Sequence, residues 1–186
     1  MENQSSRSGQ FKNTCSLMGV KSIMMDLPYP ETRVREKNTN YANLLSVDYC
    51  GAVSELSAIA QYINHENRMS CQKCPLIQTI LGIAMAEMIH LQKLGEMIFL
   101  LGGEVDFTAR YPDRKPRMWT PEDLCTTGDI RQMLLADIEA EKGAVRQYRM
   151  HMRMMNDEYV KAVLARIVMD ENYHIMLLET LLEEGV

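Results

Sequence analysis

From residue 41 onward the apolar positions fall into four stretches of helical period. Leu44, Leu45, Ala52, Ala58, Ile59 and Tyr62 predict a first helix over residues 41–66, with Thr39 or Asn40 available as its N-cap. A short connection leads to Pro75, suited to a first helical turn, and the second helix runs to about Leu101, where Gly102-Gly103 stops it. A third helix is expected over residues 129–155 and a fourth, after a brief turn at Asn156-Asp157, ends near Glu184. Between the second and third lies a stretch of different character, residues 102–128, with Pro112, Pro116, Pro121 and the single Trp. A connection that long suits a chain crossing the length of a bundle, with a short helical turn at Thr120-Pro121-Glu122-Asp123 on the way. The predicted fold is all-α: a four-helix bundle of two antiparallel helical hairpins joined by one long crossover. Residues 1–40, with Pro28 and Pro30 and one brief apolar piece, read as an extended or disordered N-terminal arm docked on a neighbour, leaving 41–186 as the folded domain.

Charged residues interrupt the apolar stripes in a repeated way. Ile83-x-Met85-x-Glu87-x-x-His90 recurs as Ile167-x-Met169-x-Glu171-x-x-His174, and each is followed four residues later by Leu94 or Leu178. Upstream of each, Glu55-x-x-Ala58-x-x-Gln61-Tyr62-x-x-His65 recurs as Glu141-x-x-Ala144-x-x-Gln147-Tyr148-x-x-His151. Residues three apart on a helix share a face, so each Glu-x-x-His pair points one way, toward the core. Packing four such helices at roughly 20° brings Glu55, Glu87, Glu141 and Glu171 to mid-bundle with His90 and His174. Four carboxylates there repel one another and cost several kcal/mol unless cations cancel them. Six oxygen and nitrogen donors without a thiolate suit two iron or two manganese ions over structural zinc.

Composition narrows the partners. The chain of 186 residues carries 20 basic and 25 acidic side chains, a net charge of −5, and has no basic run of the kind that binds nucleic acid. No apolar run reaches membrane-spanning length and residues 1–10 are polar, so a cytoplasmic protein with no membrane partner is expected. Five scattered cysteines argue against a disulfide framework, and Cys71 and Cys74 read as loop thiols.

Glu87-Met88-Ile89-His90 with Leu100-Leu101-Gly102, and Asp170-Glu171-x-x-His174-Ile175-x-x-Leu178-Glu179-Thr180, resemble the second and fourth helices of bacterioferritins, and Asp137-Ile138-x-x-Glu141 their third. The wider likeness, over residues 41–184, is to the ferritin-like superfamily, which includes rubrerythrins and manganese catalases. That resemblance implies a ferritin-like four-helix bundle with Glu55 and Glu141 as terminal metal ligands, Glu87 and Glu171 as bridges, and one ion on each of His90 and His174. It also implies a homo-oligomer, a dimer or larger.

Departures from each family shape the functional expectation. Rubrerythrins carry two Cys-x-x-Cys pairs and an extra Glu where Ala144 stands; this chain has only Cys71-x-x-Cys74. Bacterioferritins end in a short fifth helix that helps close a cage, and no such segment follows Gly185-Val186. Met88 matches their haem-ligating methionine, but among sixteen methionines a packing or interface role is expected, and haem is not. The expected function is a di-iron or di-manganese oxidoreductase acting on hydrogen peroxide, or on oxygen and ferrous iron, through peroxidase, catalase or ferroxidase chemistry. A peroxidase would need an external electron donor. The alternative is an iron-binding and storage protein of bacterioferritin type in a multi-subunit shell. Asp170 reads either as a hydrogen-bond partner for His90, with Ala86 its counterpart in the first repeat, or as a helix-surface Asp. Tyr62 and Tyr148 reach either a ligand carboxylate or backbone, and His65 and His151 read as surface or end-of-core histidines, too far along the axis to bind the ions.

Overall fold

The structure, a computed structural model, describes residues 19–69 and 74–185. Five helical segments are found among them: α1 Thr39–Cys50, α2 Glu55–Arg68, α3 Cys74–Leu100, α4 Ile130–Met154 and α5 Glu158–Glu183. The first two share one of the four bundle positions, α3 packs beside them, and α4 and α5 form the second hairpin. This is the all-α bundle that the apolar spacing predicts.

One predicted helix is broken. Helix α1 ends where the Gly51 N–H bonds the Val47 carbonyl, and α2 restarts at Glu55 with Ser54 as N-cap, its hydroxyl accepting from the Ser57 N–H. The hydroxyls of Ser54 and Ser57 both bond the Gly51 carbonyl, at 2.8 and 3.0 Å, holding the interruption closed. A Cβ at position 51 would stand 2.5 Å from the Val47 carbonyl oxygen, so the turn needs glycine. The cap of α1 is Asn38, one residue before the expected Thr39 or Asn40. Helix α3 stops as expected at Gly102, whose φ of +83° is a conformation that costs glycine nothing.

The crossover carries a two-stranded antiparallel ladder, β1 Thr108–Ala109 with β2 Arg117–Met118, and a single helical turn at Pro121–Asp123 capped by Thr120. Trp119 donates its indole N–H to the Ser57 hydroxyl at 3.0 Å, pinning the crossover to the start of α2.

Two apolar layers sandwich a charged one. Leu44, Leu45, Leu94, Met97, Leu164 and Ile167 belong to one layer; Ile77, Ile80, Leu81, Leu134 and Leu178 belong to the other. On α3, Glu87 and His90 fall between Ala84 and Leu94; on α5, Glu171 and His174 fall between Ile167 and Leu178. The charged layer is thereby sealed from water along the bundle axis.

Residues 19–38 form an extended strap on this same bundle. The strap follows α5 from its C-terminal half back to its start. Ile23 sits at His174, Met25 and Tyr29 at Asp170, and Leu27 at Arg166. Arg33 lies over the Tyr159 ring and the Arg35 N–H reaches Asp157 at 2.7 Å. The described part of the arm thus rests on its own chain, where the sequence suggested a neighbour. Residues 1–18 and Cys71 lie outside the described residues, as does the side chain of Cys74.

Candidate metal centre

Glu55 opens α2, where the helix N-terminus favours negative charge; Glu87 and His90 come from mid-α3, Glu141 from α4, and Glu171 and His174 from α5. All six are buried, none more than 3% exposed. Their ligand atoms fall into two groups, Glu55, Glu87, His90 and Glu171, and Glu87, Glu141, Glu171 and His174, within each of which the atoms lie no more than 4.8 Å apart. Glu87 and Glu171 belong to both groups. The structure therefore brings together the six residues singled out in the sequence, with two shared carboxylates between two positions.

Both imidazoles present Nδ1 to the carboxylates. His90 Nδ1 lies 2.6 Å from Glu87, 3.4 Å from Glu171 and 3.7 Å from Glu55. His174 Nδ1 lies 3.0 Å from Glu87, 3.2 Å from Glu171 and 3.8 Å from Glu141. Each Nε2 faces outward, that of His90 toward Asp170 at 3.2 Å and that of His174 toward the Ile23 carbonyl at 2.8 Å. Asp170 thus partners His90 and is not a surface residue. Asp170 also accepts from the Met25 N–H and the Tyr29 hydroxyl and pairs with Arg166 at 2.5 Å. Burial alone would raise its pKa; the hydrogen bonds from His90, Arg166, Tyr29 and Met25 instead hold it down at about 2.

Without cations the carboxylate layer is electrostatically frustrated. Burial, and then the charges of Glu171 and Glu87, push Glu55 and Glu141 well above the usual carboxylate range. Burial opposes ionisation of Glu87 too, but the neighbouring His90 and His174 charges win and lower it. Burial disfavours the charged form of both histidines, and Glu87 beside them more than reverses this, so both are raised. The buried Glu87 Oε1 atom faces His174 Nδ1 at 3.0 Å but makes no well-aligned hydrogen bond among the described residues. Two divalent cations would match the charge of four carboxylates, replace the protons on Nδ1 and satisfy that oxygen, so this donor set fits a pair of ions.

Around the six, a mirrored network ties the helices together. The Tyr62 hydroxyl donates to Glu141 and the Tyr148 hydroxyl to Glu55, each across the bundle. One turn beyond each tyrosine, the buried His65 and His151 set Nδ1 against Asp137 and Asp48, at 2.9 and 2.8 Å. Gln61 and Gln147 donate to the same aspartates, both at 2.8 Å. These histidines are core residues with carboxylate partners, a correction to the surface reading. Asp48 and Asp137 sit on neighbouring elements, outside the Glu55 and Glu141 repeats, so neither was paired with a histidine in the sequence. Met88 is 45% exposed on α3, away from the buried cluster.

A cavity of about 340 Å³ between α2 and α4 reaches the cluster, lined by Glu55, Glu87, Glu141 and Glu171 within and by Glu139 and Asp123 among its further walls.

Comparison with known proteins agrees with this arrangement. The family model of the ferritin-like domain matches residues 53–185. The chain belongs to that family. Among ferritin-like relatives, it is 28% identical over 161 residues to a Clostridium acetobutylicum protein named as a probable manganese catalase, covering 77% of this chain and 71% of the relative. The wild-type manganese catalase KatB of Anabaena superposes with a TM-score of 0.73 at 26% identity, over 86% of this chain and 78% of that one. The bacterioferritin of Rhodobacter capsulatus shares the fold, with a TM-score of 0.64 at 21% identity over 80% and 86% of the two chains. This ferritin-like chain therefore has a fold and a carboxylate and histidine cluster suited to a di-metal protein.

Proposed function

We propose that this ferritin-like protein is a di-metal oxidoreductase that disproportionates hydrogen peroxide, with two manganese or iron ions resident in the cluster. The observation that carries the reading is the pair of four-residue groups sharing Glu87 and Glu171. The similarity to manganese catalases supports the choice of reaction and favours manganese. When bound, the two ions supply reversible two-electron chemistry. In the balanced reaction one peroxide gives up two electrons and two protons and leaves as oxygen; a second takes them up and leaves as two waters. An external electron donor is then unnecessary.

The side chains have separable tasks. Glu55 with His90 would hold one ion, Glu141 with His174 the other, and Glu87 with Glu171 both. Tyr148 and Tyr62 each occupy one oxygen of Glu55 or Glu141, which limits carboxylate swing and leaves the second oxygen for an ion. The cavity between α2 and α4 admits a molecule as small as peroxide, and the apolar layers keep other reductants out. No described helix is long and apolar enough to cross a membrane. Exposed Met88 and Phe99 on α3 and Met176 on α5 support packing of copies into a homo-oligomer.

A second reading, ferrous-iron oxidation and storage, draws on Glu139 and Asp123 in the cavity wall, whose pull on an entering cation is reduced by their pairing with Arg146 and Arg117. Oxygen release from peroxide without reductant decides between them. One oxygen per two peroxides consumed supports dismutation; no oxygen release, with ferrous iron oxidised and retained beyond two per chain, supports storage.

A further inference from the structure

The two Glu-x-x-His repeats differ at one position that the site uses. Asp170 precedes Glu171 and reaches across the bundle to His90 Nε2. By the same pseudo-symmetry the residue preceding Glu87 would serve His174, but that residue is Ala86, fully buried and with nothing to offer an N–H. The Ile23 carbonyl stands in its place, 2.8 Å from His174 Nε2. Ile23 lies upstream of the matched family domain, in the strap. The strap is seated for this contact: the Ile23 N–H donates to the Gly82 carbonyl at 2.9 Å, and a Cβ at position 82 would stand 2.7 Å from the Ile23 side chain.

We infer that Ile23 is a positioning residue for the metal position at His174, its backbone carbonyl replacing a carboxylate that the first repeat lacks, so that this position depends on the strap. The inference rests on the di-metal reading above. A carbonyl can only accept, so it keeps hydrogen on Nε2 and leaves the Nδ1 lone pair facing Glu87 and Glu171. The same geometry makes the two positions unequal. His90 is oriented by an anion that three other groups also hold, Arg166, the Tyr29 hydroxyl and the Met25 N–H, whereas His174 is oriented by a single neutral backbone oxygen. Displacing the strap at Ile23 frees the His174 ring, whereas Asp170 keeps Arg166 of its own helix and the Met25 and Tyr29 contacts further along the strap, so His90 stays oriented.

The test is manganese(II) titration of the metal-free full-length chain. Gly82→Val moves the strap from the helix side, and Ile23→Pro removes the anchoring N–H from the strap side without altering any helix, so one answers if the other fails to fold. Either variant is expected to bind one ion with unchanged affinity and the second roughly 10–100-fold more weakly, the usual effect of losing the partner of a metal-binding histidine. In a His174→Ala background the strap variant changes nothing further; in a His90→Ala background it shows its full effect. Unchanged affinity at both positions, or equal weakening at both, overturns the inference and leaves the di-metal reading standing. An unaltered chain that takes up fewer than two ions overturns the di-metal reading itself.

Discussion

Tyr148 on α4 donates its phenolic hydrogen to Glu55 at the start of α2, and the gesture is returned by Tyr62 on α2 to Glu141 on α4. Each hydroxyl is fully buried and serves one of the two unshared carboxylates. Replacing either tyrosine by phenylalanine leaves a buried carboxylate oxygen without a donor, at a cost of about 1–3 kcal/mol. The expected outcome for Tyr148→Phe and Tyr62→Phe is a lower melting temperature and a kcat reduced about tenfold, with KM little changed in Tyr62→Phe, because Tyr148 lines the cavity and Tyr62 does not. Steady-state oxygen release and thermal unfolding check this. An unchanged kcat in both would show that carboxylate swing does not matter.

Removing the ions should make stability depend on pH in a definite direction. Glu55 and Glu141 bind protons more tightly folded than unfolded, so their contribution is full below the ordinary carboxyl value of 4.5 and is lost as pH rises through the raised folded value. His90 and His174 are raised above 6.5 and lose their contribution in the same direction. Glu87 and Glu171 are lowered and act in the opposite sense only as pH falls below 4.5. The metal-free chain should therefore melt at a lower temperature at about pH 8 than at about pH 5, and the metal-loaded chain should not. Calorimetric melting across that range is the measurement, and a metal-free protein that gains stability toward pH 8 contradicts the assignment.

The break between α1 and α2 sets where Glu55 begins its helix. In Gly51→Ala the added carbon meets the Val47 carbonyl oxygen at 2.5 Å, and the Gly51 carbonyl that Ser54 and Ser57 grip must shift. A loss of about 1–3 kcal/mol is expected, with metal affinity reduced as Glu55 moves. Denaturant unfolding alongside metal titration separates the two effects.

His65 and His151 are expected to stabilise the fold through Asp137 and Asp48 and not to bind an ion. His151→Ala leaves Asp48 buried with only Gln147 as a side-chain partner, and a destabilisation of about 2–3 kcal/mol follows without loss of either ion. Metal content measured beside unfolding free energy checks this; loss of an ion would bring His151 into the site.

How much of this could be read from the chain depends on the range of each interaction. Glu87 with His90 and Glu171 with His174 are three apart on a helix, a local relation written directly into residue spacing, and the structure brings the repeated pairs together at mid-bundle. The break at residues 51–54 was hidden because Leu44, Leu45, Ala52 and Ile59 keep helical spacing straight through it. What stops the helix there is hydroxyl contact with one carbonyl, a matter of geometry and not of apolar pattern. The strap was harder still. Its contacts with Arg166, Asp170 and His174 join residues 139 to 151 apart and run largely through the backbone of Ile23, Met25 and Leu27, so side-chain identity carries little trace of them. The partners of His65 and His151 lie 72 and 103 residues away, which a reading of each helix by itself does not see.

The account stands on two cations lying between Glu87 and Glu171, and counting them tests it most directly. Manganese(II) or ferrous iron titrated into the metal-free chain should bind at two per chain, with an intermetal separation of about 3.5–4 Å by X-ray absorption. One ion, none, or two ions too far apart to share a carboxylate would contradict it.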